Sequence, residues 1–345
     1  MEIKMSNKGR IIWIDIMRGI LMISIVMGHI YTTGLLRKYL YSFHVPAFFF
    51  LSGYCFHYSR NFKLFLSKKI KTVVIPYFSF SLFSILLFAV GSKIVNSLSK
   101  ILECNPLKNI IIMLYGNSKP EVMRYNLPLW FLPCLFITSV IAFLVETVIQ
   151  KKGNKYRIVF ILGFAIIGAF VALHENISLP WHFETSCSML VWYLLGIMLS
   201  EQERSREKLL CIKPLCWILL LIAGIALCML NTRTVGVRND HYGILPIYYL
   251  SAICSILGIR GLSYSIKNNT ILETIGKCSV TILGVHKFPI LFFQEILPIS
   301  KNILKNSATI ESLLIGIIVC SVSITFSLLV HRIIVKRVPW VLGRF

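Results

Sequence analysis

The chain has 345 residues, of which 56% are hydrophobic and 14% are charged, and its mean hydropathy is +0.75. Soluble domains average about 45–50% apolar and about 25% charged residues, so a water-soluble fold lacks the polar surface to cover this chain. The net charge of +22 comes from 36 Lys and Arg against 14 Asp and Glu. No nucleic-acid-binding module accompanies it, so this charge is interpreted as that of the cytoplasmic loops of a membrane protein, and no nucleic acid is expected as a partner.

About ten segments are predicted to cross a membrane, because each approaches the roughly 20 apolar residues that span about 30 Å of hydrocarbon. They are about residues 11–30, 39–58, 72–92, 127–149, 156–173, 186–200, 215–231, 243–259, 271–293 and 309–331. Pro106 and Lys108 interrupt Ile101–Tyr115, which is predicted as an interfacial helix. The sequence therefore predicts an all-α fold, a polytopic membrane helical bundle, with residues 1–345 forming a single transmembrane domain and no soluble domain.

The distribution of Lys and Arg predicts the orientation of these spans. With the N-terminus in the cytoplasm, the cytoplasmic segments hold 22 Lys and Arg residues and the outer segments hold 11. Because Lys and Arg favour the cytoplasmic side, both termini are predicted to be cytoplasmic. Asp15 and Arg18 within the first span, with no cleavage site after it, predict a retained span rather than a cleaved signal peptide.

The first span carries three ionisable residues, Asp15, Arg18 and His29. Ionisable groups inside a membrane are costly and usually mark a functional site. At about 100° per residue, Arg18 and His29 lie within about 20° of each other around the helix axis, and Asp15 lies within about 60° of both. One stripe of the helix is therefore predicted to carry an acid, a guanidinium and an imidazole.

Two interpretations of this stripe are open. A cytoplasm-side arginine can bind a phosphate group, and a histidine further out can act as general base on a hydroxyl. Alternatively, Asp15 and Arg18 form an i,i+3 ion pair and His29 only lies at the membrane interface. Since three such residues facing lipid would be expensive, the shared stripe favours the functional interpretation.

Other spans and loops supply further candidates. His44 lies on the same outer side as His29, near the start of the second span, and Ser52 with Gly53 allows close helix contact. His286 is predicted in the outer half of the ninth span. Arg124, just before the Leu129-Trp130 pair, is a candidate contact for an acceptor.

Two outer loops carry polar residues without a functional pattern. Residues 174–184 include His174, Glu175, His182 and Glu184, whose spacing is not that of a metal site, and we interpret them as a solvated loop. Residues 233–241 are interpreted as solvated or as a contact for an anionic glycan. The ten cysteines form no CxxC pair, so no metal or redox site is predicted.

Several of these motifs resemble those of the integral-membrane acyltransferase-3 family. The resemblance rests on Asp15-x-x-Arg18-Gly19-Ile20, His29 eleven residues after Arg18, the run Phe43-His44-Val45-Pro46-Ala47-Phe48-Phe49-Phe50-Leu51-Ser52-Gly53-Tyr54, Lys68-Lys69-Ile70-Lys71, Leu129-Trp130-Phe131-Leu132, Trp192-Tyr193-Leu194-Leu195-Gly196 and Ser279 to His286. Within the family the chain looks closest to sugar O-acetyltransferases such as fucose-acetylase-like proteins. It departs from the family pattern at Gly28, where many members carry an aromatic residue, and at Leu283-Gly284 and Lys287.

The resemblance implies a membrane-bound O-acyltransferase that moves an acyl group, usually acetyl, from cytosolic acyl-CoA to a hydroxyl of a cell-surface or secreted glycan. It implies that His29 is the catalytic imidazole and Arg18 its partner. The residues expected to support catalysis or bind substrate are Asp15, His44, Ser52, His286, Arg124 and Trp130. Those expected to bind acyl-CoA, in a basic loop before the third span, are Lys68, Lys69 and Lys71.

The expected partners follow from this chemistry. Acetyl-CoA or another acyl-CoA is expected as donor substrate, without a bound cofactor, and a glycan or lipid-linked saccharide as acceptor. The expected location is the lipid bilayer of the bacterial inner or plasma membrane. Direct transfer and an acyl-imidazole intermediate are both open.

A transporter or flippase of a lipid-linked saccharide or small anion is the alternative function. Intramembrane Arg, Asp and His also serve transport. Many transporters contain inverted repeats with helices broken in matched positions, and this sequence shows no clear internal repeat.

Overall fold

A computed structural model of the chain describes residues 11–94, 105–119, 125–205, 214–266, 268–296, 303–305 and 307–344. Within these residues all regular secondary structure is helical, apart from one isolated bridge between Gly236 and His241. The predicted all-α class is therefore confirmed.

The longer helices follow in chain order. They are α1 (Ile12–Ile30), α2 (Leu35–Tyr54), α3 (Phe62–Lys69), α4 (Ile75–Ile94), α5 (Pro106–Tyr115), α6 (Phe131–Lys152), α7 (Lys155–Leu173), α8 (Phe183–Ser205), α9 (Pro214–Leu230), α10 (Leu245–Ser265), α11 (Thr270–Lys277), α12 (Ser279–Val285), α13 (Lys287–Leu291) and α14 (Ile310–Arg337). The π-helical segments are Ile70–Val74 and Phe292–Ile296, and the 3₁₀ segments are Leu127–Trp130, Pro180–His182, Val237–Asn239 and Pro339–Leu342.

Each of the ten predicted spans has a helical counterpart. Fewer than ten helices in the described residues, however, are long and apolar enough to span a membrane. Seven helices are long and apolar enough to cross a membrane, or eight if the bent pair Thr270–Lys277 and Ser279–Gln294 is one span. Of the remaining predicted spans, α2 is not among the seven and α9 has only 17 residues. A polytopic helical bundle is confirmed, whereas the count of ten and the cytoplasmic termini stay predictions.

The third predicted span begins earlier than expected. Helix starts at Phe62, after the Asn61 side chain accepts a hydrogen bond from the Leu64 amide at 3.0 Å, and continues through the π-helical segment into α4. An N-terminal asparagine of this kind satisfies one of the backbone amides that a helix end leaves unpaired. The prediction of a basic loop was wrong, because Lys68 and Lys69 lie on α3 and Lys71 lies in the π-helical segment that follows it.

The ninth predicted span is bent rather than straight. The two helical parts meet at Cys278 at an angle of 67°. Asn269 starts the first part by accepting from the Leu272 amide at 3.0 Å. His286 lies where α12 ends and α13 begins.

The chain divides into two compact units. The first unit contains Met1–Leu51, Glu201–Gly236 and His241–His331, and the second contains Ser52–Ser200, Val237–Asp240 and Arg332–Phe345. The single domain over residues 1–345 stays a prediction.

In the first unit, α1 packs against the bent span formed by α11, α12 and α13. Two glycines bring the backbones of α1 and α11 into direct contact. A Cβ on Gly19 would overlap the backbone of Leu272, and one on Gly276 would overlap the carbonyl of Asp15. Small residues allow this close approach in membrane helices, which holds the first half of α1 against α11.

In the second unit, the apolar core joins α3, α6 and α8. Its buried residues are Phe56, Phe65, Ala142, Phe143, Val145, Ile149, Leu190, Tyr193, Leu194 and Ile197. Helix α7 in this unit is largely exposed. Its exposed residues include Leu162, Ile166 and Phe170, and a uniformly apolar exposed face of this kind is suited to lipid.

The second unit also contains a buried network of charges. Lys119 forms an ion pair with Asp240, lies 3.5 Å from Glu184 Oε1 and donates to the carbonyl of Ile177 at 3.2 Å. Thr185 donates to Asp240 Oδ2 at 3.0 Å. These contacts tie the end of the segment after α5 to the start of α8 and to residues 237–240.

The network overturns the interpretation as a solvated loop for His182 and Glu184, at the end of residues 174–184. His182 and Glu184 are buried. The amide of Ser118 donates to His182 Nε2 at 3.0 Å, and the amide of Leu179 donates to Glu184 Oε2 at 3.1 Å. His174 alone of the named residues is exposed. Tertiary contacts with residues 117–119, distant in sequence, bury the start of α8.

Candidate functional site

Two histidines from distant parts of the chain meet in the first unit. The rings of His29, at the end of α1, and His286, between α12 and α13, lie 5.3 Å apart between centroids with a tilt of 37°. The packing of α1 on the bent span produces this contact. Both are predicted site residues, and the fold brings them together although they lie far apart in the sequence.

Tyr41 on α2 completes the surroundings of His29. Its hydroxyl lies 3.3 Å from His29 Nδ1, and the rings meet edge to face with centroids 6.1 Å apart. The guanidinium of Arg37 lies 4.5 Å from the Tyr41 ring centroid. A hydrogen bond at Nδ1 orients an imidazole and fixes which nitrogen is left for chemistry.

Gly28 gives Tyr41 its place. A Cβ at position 28 would lie 3.0 Å from Tyr41 Cε2, tighter than ordinary contact. An aromatic side chain here, as in many proteins that the sequence resembles, would displace the Tyr41 ring. The departure at Gly28 therefore has a structural reason, because Tyr41 fills the space beside His29.

His286 has one bonded nitrogen and one open nitrogen. Its Nδ1 donates to the carbonyl of Ile282 at 2.7 Å, which leaves Nε2 as an acceptor. Nε2 is buried and has no hydrogen-bond partner among the described residues. Burial of such an acceptor destabilises the fold unless a ligand or a water molecule donates a hydrogen bond to it.

His44 joins the group through Tyr41 rather than through His29. The rings of Tyr41 and His44 meet edge to face, 5.0 Å apart between centroids. His44 is buried and its Nδ1 bonds to the carbonyl of Leu40, one turn earlier. The imidazole that lies against His29 is therefore that of His286 rather than that of His44.

Asp15 and Arg18 form the predicted i,i+3 pair at the other end of α1. Arg18 Nη1 lies 3.5 Å from Asp15 Oδ1; Asp15 is buried, and 30% of the Arg18 side chain is exposed. Eleven residues of helix separate Arg18 from His29, which is about 16 Å along the axis. Any role of Arg18 in catalysis is therefore exerted away from the imidazole.

The basic segment and the remaining predicted residues of the second unit have separate surroundings. Lys68 and Lys71 are exposed, and the Lys69 ammonium lies 5.8 Å and 5.9 Å from the ring centroids of Phe65 and Tyr193. Trp130 is buried with its ring centroid 5.1 Å from that of His182. Ser52 is half-buried on α2.

Arg124 lies outside the described residues. Sequence reasoning missed Tyr41 and Arg37. The spacing of Tyr41 and His44, three residues apart and therefore on one face of α2, was the available signal. Gln294 was missed as well; its side-chain amide donates to the carbonyl of Ile30 at 2.7 Å and so joins the end of α1 to the bent span.

The arrangement is suited to acid–base chemistry on a hydroxyl. It provides an imidazole oriented at Nδ1, a second imidazole with an open acceptor, and two nearby cations, Arg37 and Lys287. No group of three or more His, Cys, Asp or Glu residues in the described part of the chain is arranged to hold a metal ion.

Comparisons with known proteins give one match. A family model described as an acyltransferase domain matches residues 11–332, nearly the whole chain. No curated protein and no solved structure matches the chain.

Proposed function

The chain belongs to the acyltransferase-3 family, which makes it a membrane acyltransferase, and on this premise we propose that it transfers an acetyl group from cytosolic acetyl-CoA to a hydroxyl of a surface or secreted glycan. The observation that carries this proposal is the imidazole pair of His29 and His286, with Tyr41 at His29 Nδ1. Transfer of an acyl group from a thioester to a hydroxyl needs a base that takes the hydroxyl proton, and an imidazole is suited to that role.

In the proposed reaction His29 acts through Nε2. We assign the ring proton to Nδ1, which donates to the Tyr41 oxygen, so that Nε2 carries the lone pair. As the acceptor oxygen attacks the thioester carbonyl, its proton passes to Nε2; the C–S bond breaks, and the CoA thiolate then takes that proton. The acyl group ends as an ester and CoA is released as the thiol.

We propose the donor from the exposed charges and the location from hydropathy. Lys68 and Lys71 expose two ammonium groups, which we assign to the phosphates of acyl-CoA. Lys69 is held between aromatic rings and is a weaker candidate. A bacterial cell membrane with the basic segment on the cytoplasmic side agrees with the distribution of Lys and Arg.

A test of the proposal uses purified protein in detergent with radiolabelled acetyl-CoA and methyl glycosides of glucose, galactose and fucose. We expect acetyl ester on at least one glycoside and an equal amount of free CoA. The bent span is a feature that transporters share, and a transporter would leave acetyl-CoA intact. Intact acetyl-CoA with every glycoside would overturn the proposal.

The Tyr41→Phe variant tests the role of the hydroxyl at His29. We expect kcat to fall about three- to tenfold, because a neutral hydrogen bond contributes about 0.5–1.5 kcal/mol. The KM for acetyl-CoA should not change, since the variant keeps the ring and removes only the hydroxyl.

Tyr39→Phe is the matched control on the same helix, because the Tyr39 ring packs on Phe43. It should retain the wild-type kcat. Equal losses in the two variants would show that Tyr41 acts only through the packing of α2.

A further inference from the structure

We propose that His286 Nε2 accepts a hydrogen bond from a second hydroxyl of the acceptor, next to the hydroxyl that reacts at His29. This inference rests on the proposed function and adds to it the residue that positions the acceptor. The acceptor would be a polyol with neighbouring hydroxyls, such as a sugar, rather than a simple alcohol.

The tautomer of His286 is the first step of the argument. A carbonyl can only accept, so the contact of Nδ1 with the Ile282 oxygen at 2.7 Å places the proton on Nδ1. Nε2 of the neutral ring then has a lone pair and no proton. Its complement is an O–H or N–H group.

Burial is the second step. His286 is 0% exposed, and among the described residues none bonds to Nε2. A buried acceptor without a partner typically destabilises a fold by about 1–3 kcal/mol. The open nitrogen lies beside the catalytic imidazole, which is where a substrate would satisfy it.

The position relative to His29 is the third step. The centroids of the two rings are 5.3 Å apart. Two hydroxyls, one bonded to each imidazole, are therefore close enough to come from one sugar residue. The thioester group offers only acceptor atoms, whereas every sugar hydroxyl offers a donor. Arg37 and Lys287 are cations and would repel a protonated amine as ligand.

Two substitutions separate the open nitrogen from the bonded one. In His286→Asn the side-chain amide retains a donor near the Nδ1 position and loses Nε2. In His286→Gln the longer side chain places a polar group near the Nε2 position. The matched control is His331→Asn, at a histidine that bonds instead to Thr281 at 2.7 Å.

The measurement is the KM for whichever methyl glycoside of glucose, galactose or fucose the wild-type protein acetylates, together with the KM for acetyl-CoA. We expect His286→Asn to raise the glycoside KM about tenfold. His286→Gln should restore part of the loss, and His331→Asn should match wild type. The acetyl-CoA KM should stay constant throughout.

An unchanged glycoside KM in His286→Asn would overturn the inference and indicate that Nε2 holds only water. A rise in the acetyl-CoA KM would assign Nε2 to the donor instead and would also overturn it. Equal losses of kcat in the Asn and Gln variants would show a structural role alone. Failure of the wild-type protein to form any acetyl ester would instead overturn the proposed function, and this inference with it.

Discussion

Replacing His29 by alanine is expected to reduce acetyl transfer by about 10²–10⁴-fold, which is the usual contribution of a positioned general base. The reaction then depends on water or on the unassisted hydroxyl, because the variant removes the imidazole that takes the hydroxyl proton. The measurement is the initial rate of ester formation on a methyl glycoside.

The His29→Ala protein should still fold and insert. His29 lies at the last turn of α1, and its one side-chain bond of 3.3 Å to Tyr41 contributes about 1 kcal/mol or less to stability. His174→Ala is the matched control, since His174 is exposed at the end of α7 and bonds only to the carbonyl of Phe170 at 2.9 Å. Wild-type transfer by a well-folded His29→Ala protein would remove His29 from the mechanism.

The Lys119→Met variant is expected to lose about 3–5 kcal/mol of unfolding free energy, as when one partner of a buried ion pair is removed. Lys119 is 7% exposed and Asp240 is fully buried, so methionine removes the ammonium group that contacts the carboxylates of both Asp240 and Glu184. The measurement is reversible unfolding in mixed detergent micelles, followed by the circular dichroism of the helices.

Lys277→Met is the matched control for this variant. The ammonium of Lys277 lies 3.0 Å from Glu273 in an i,i+4 pair, and 36% of its side chain is exposed. Such a pair contributes about 0.3–0.5 kcal/mol, so the control should unfold almost as wild type. Similar losses in both variants would contradict the role of the buried network, and Asp240→Asn provides a milder test if Lys119→Met does not accumulate.

The helical class and the stripe of ionisable residues on α1 were predictable because both depend on local pattern. Long apolar segments require helices in a membrane, and the i,i+3 spacing placed Asp15 beside Arg18. The start of the helix at Phe62 was less predictable, since it depends on the Asn61 side chain rather than on hydropathy. The bend at Cys278 likewise has no proline to mark it, and the nearby Gly276 lies in direct contact with the backbone of α1.

The sequence by itself determined that the chain is a helical membrane protein with ionisable groups on its first span, because hydropathy and a period of 3.6 residues are properties of neighbouring residues. Only the tertiary structure decided which of the eight histidines meet. His29 pairs with His286, 257 positions away, while His182 is enclosed in the buried charge network of the second unit. Those contacts depend on how helices that are distant in sequence pack together, and the spacing of residues along one helix does not predict that packing.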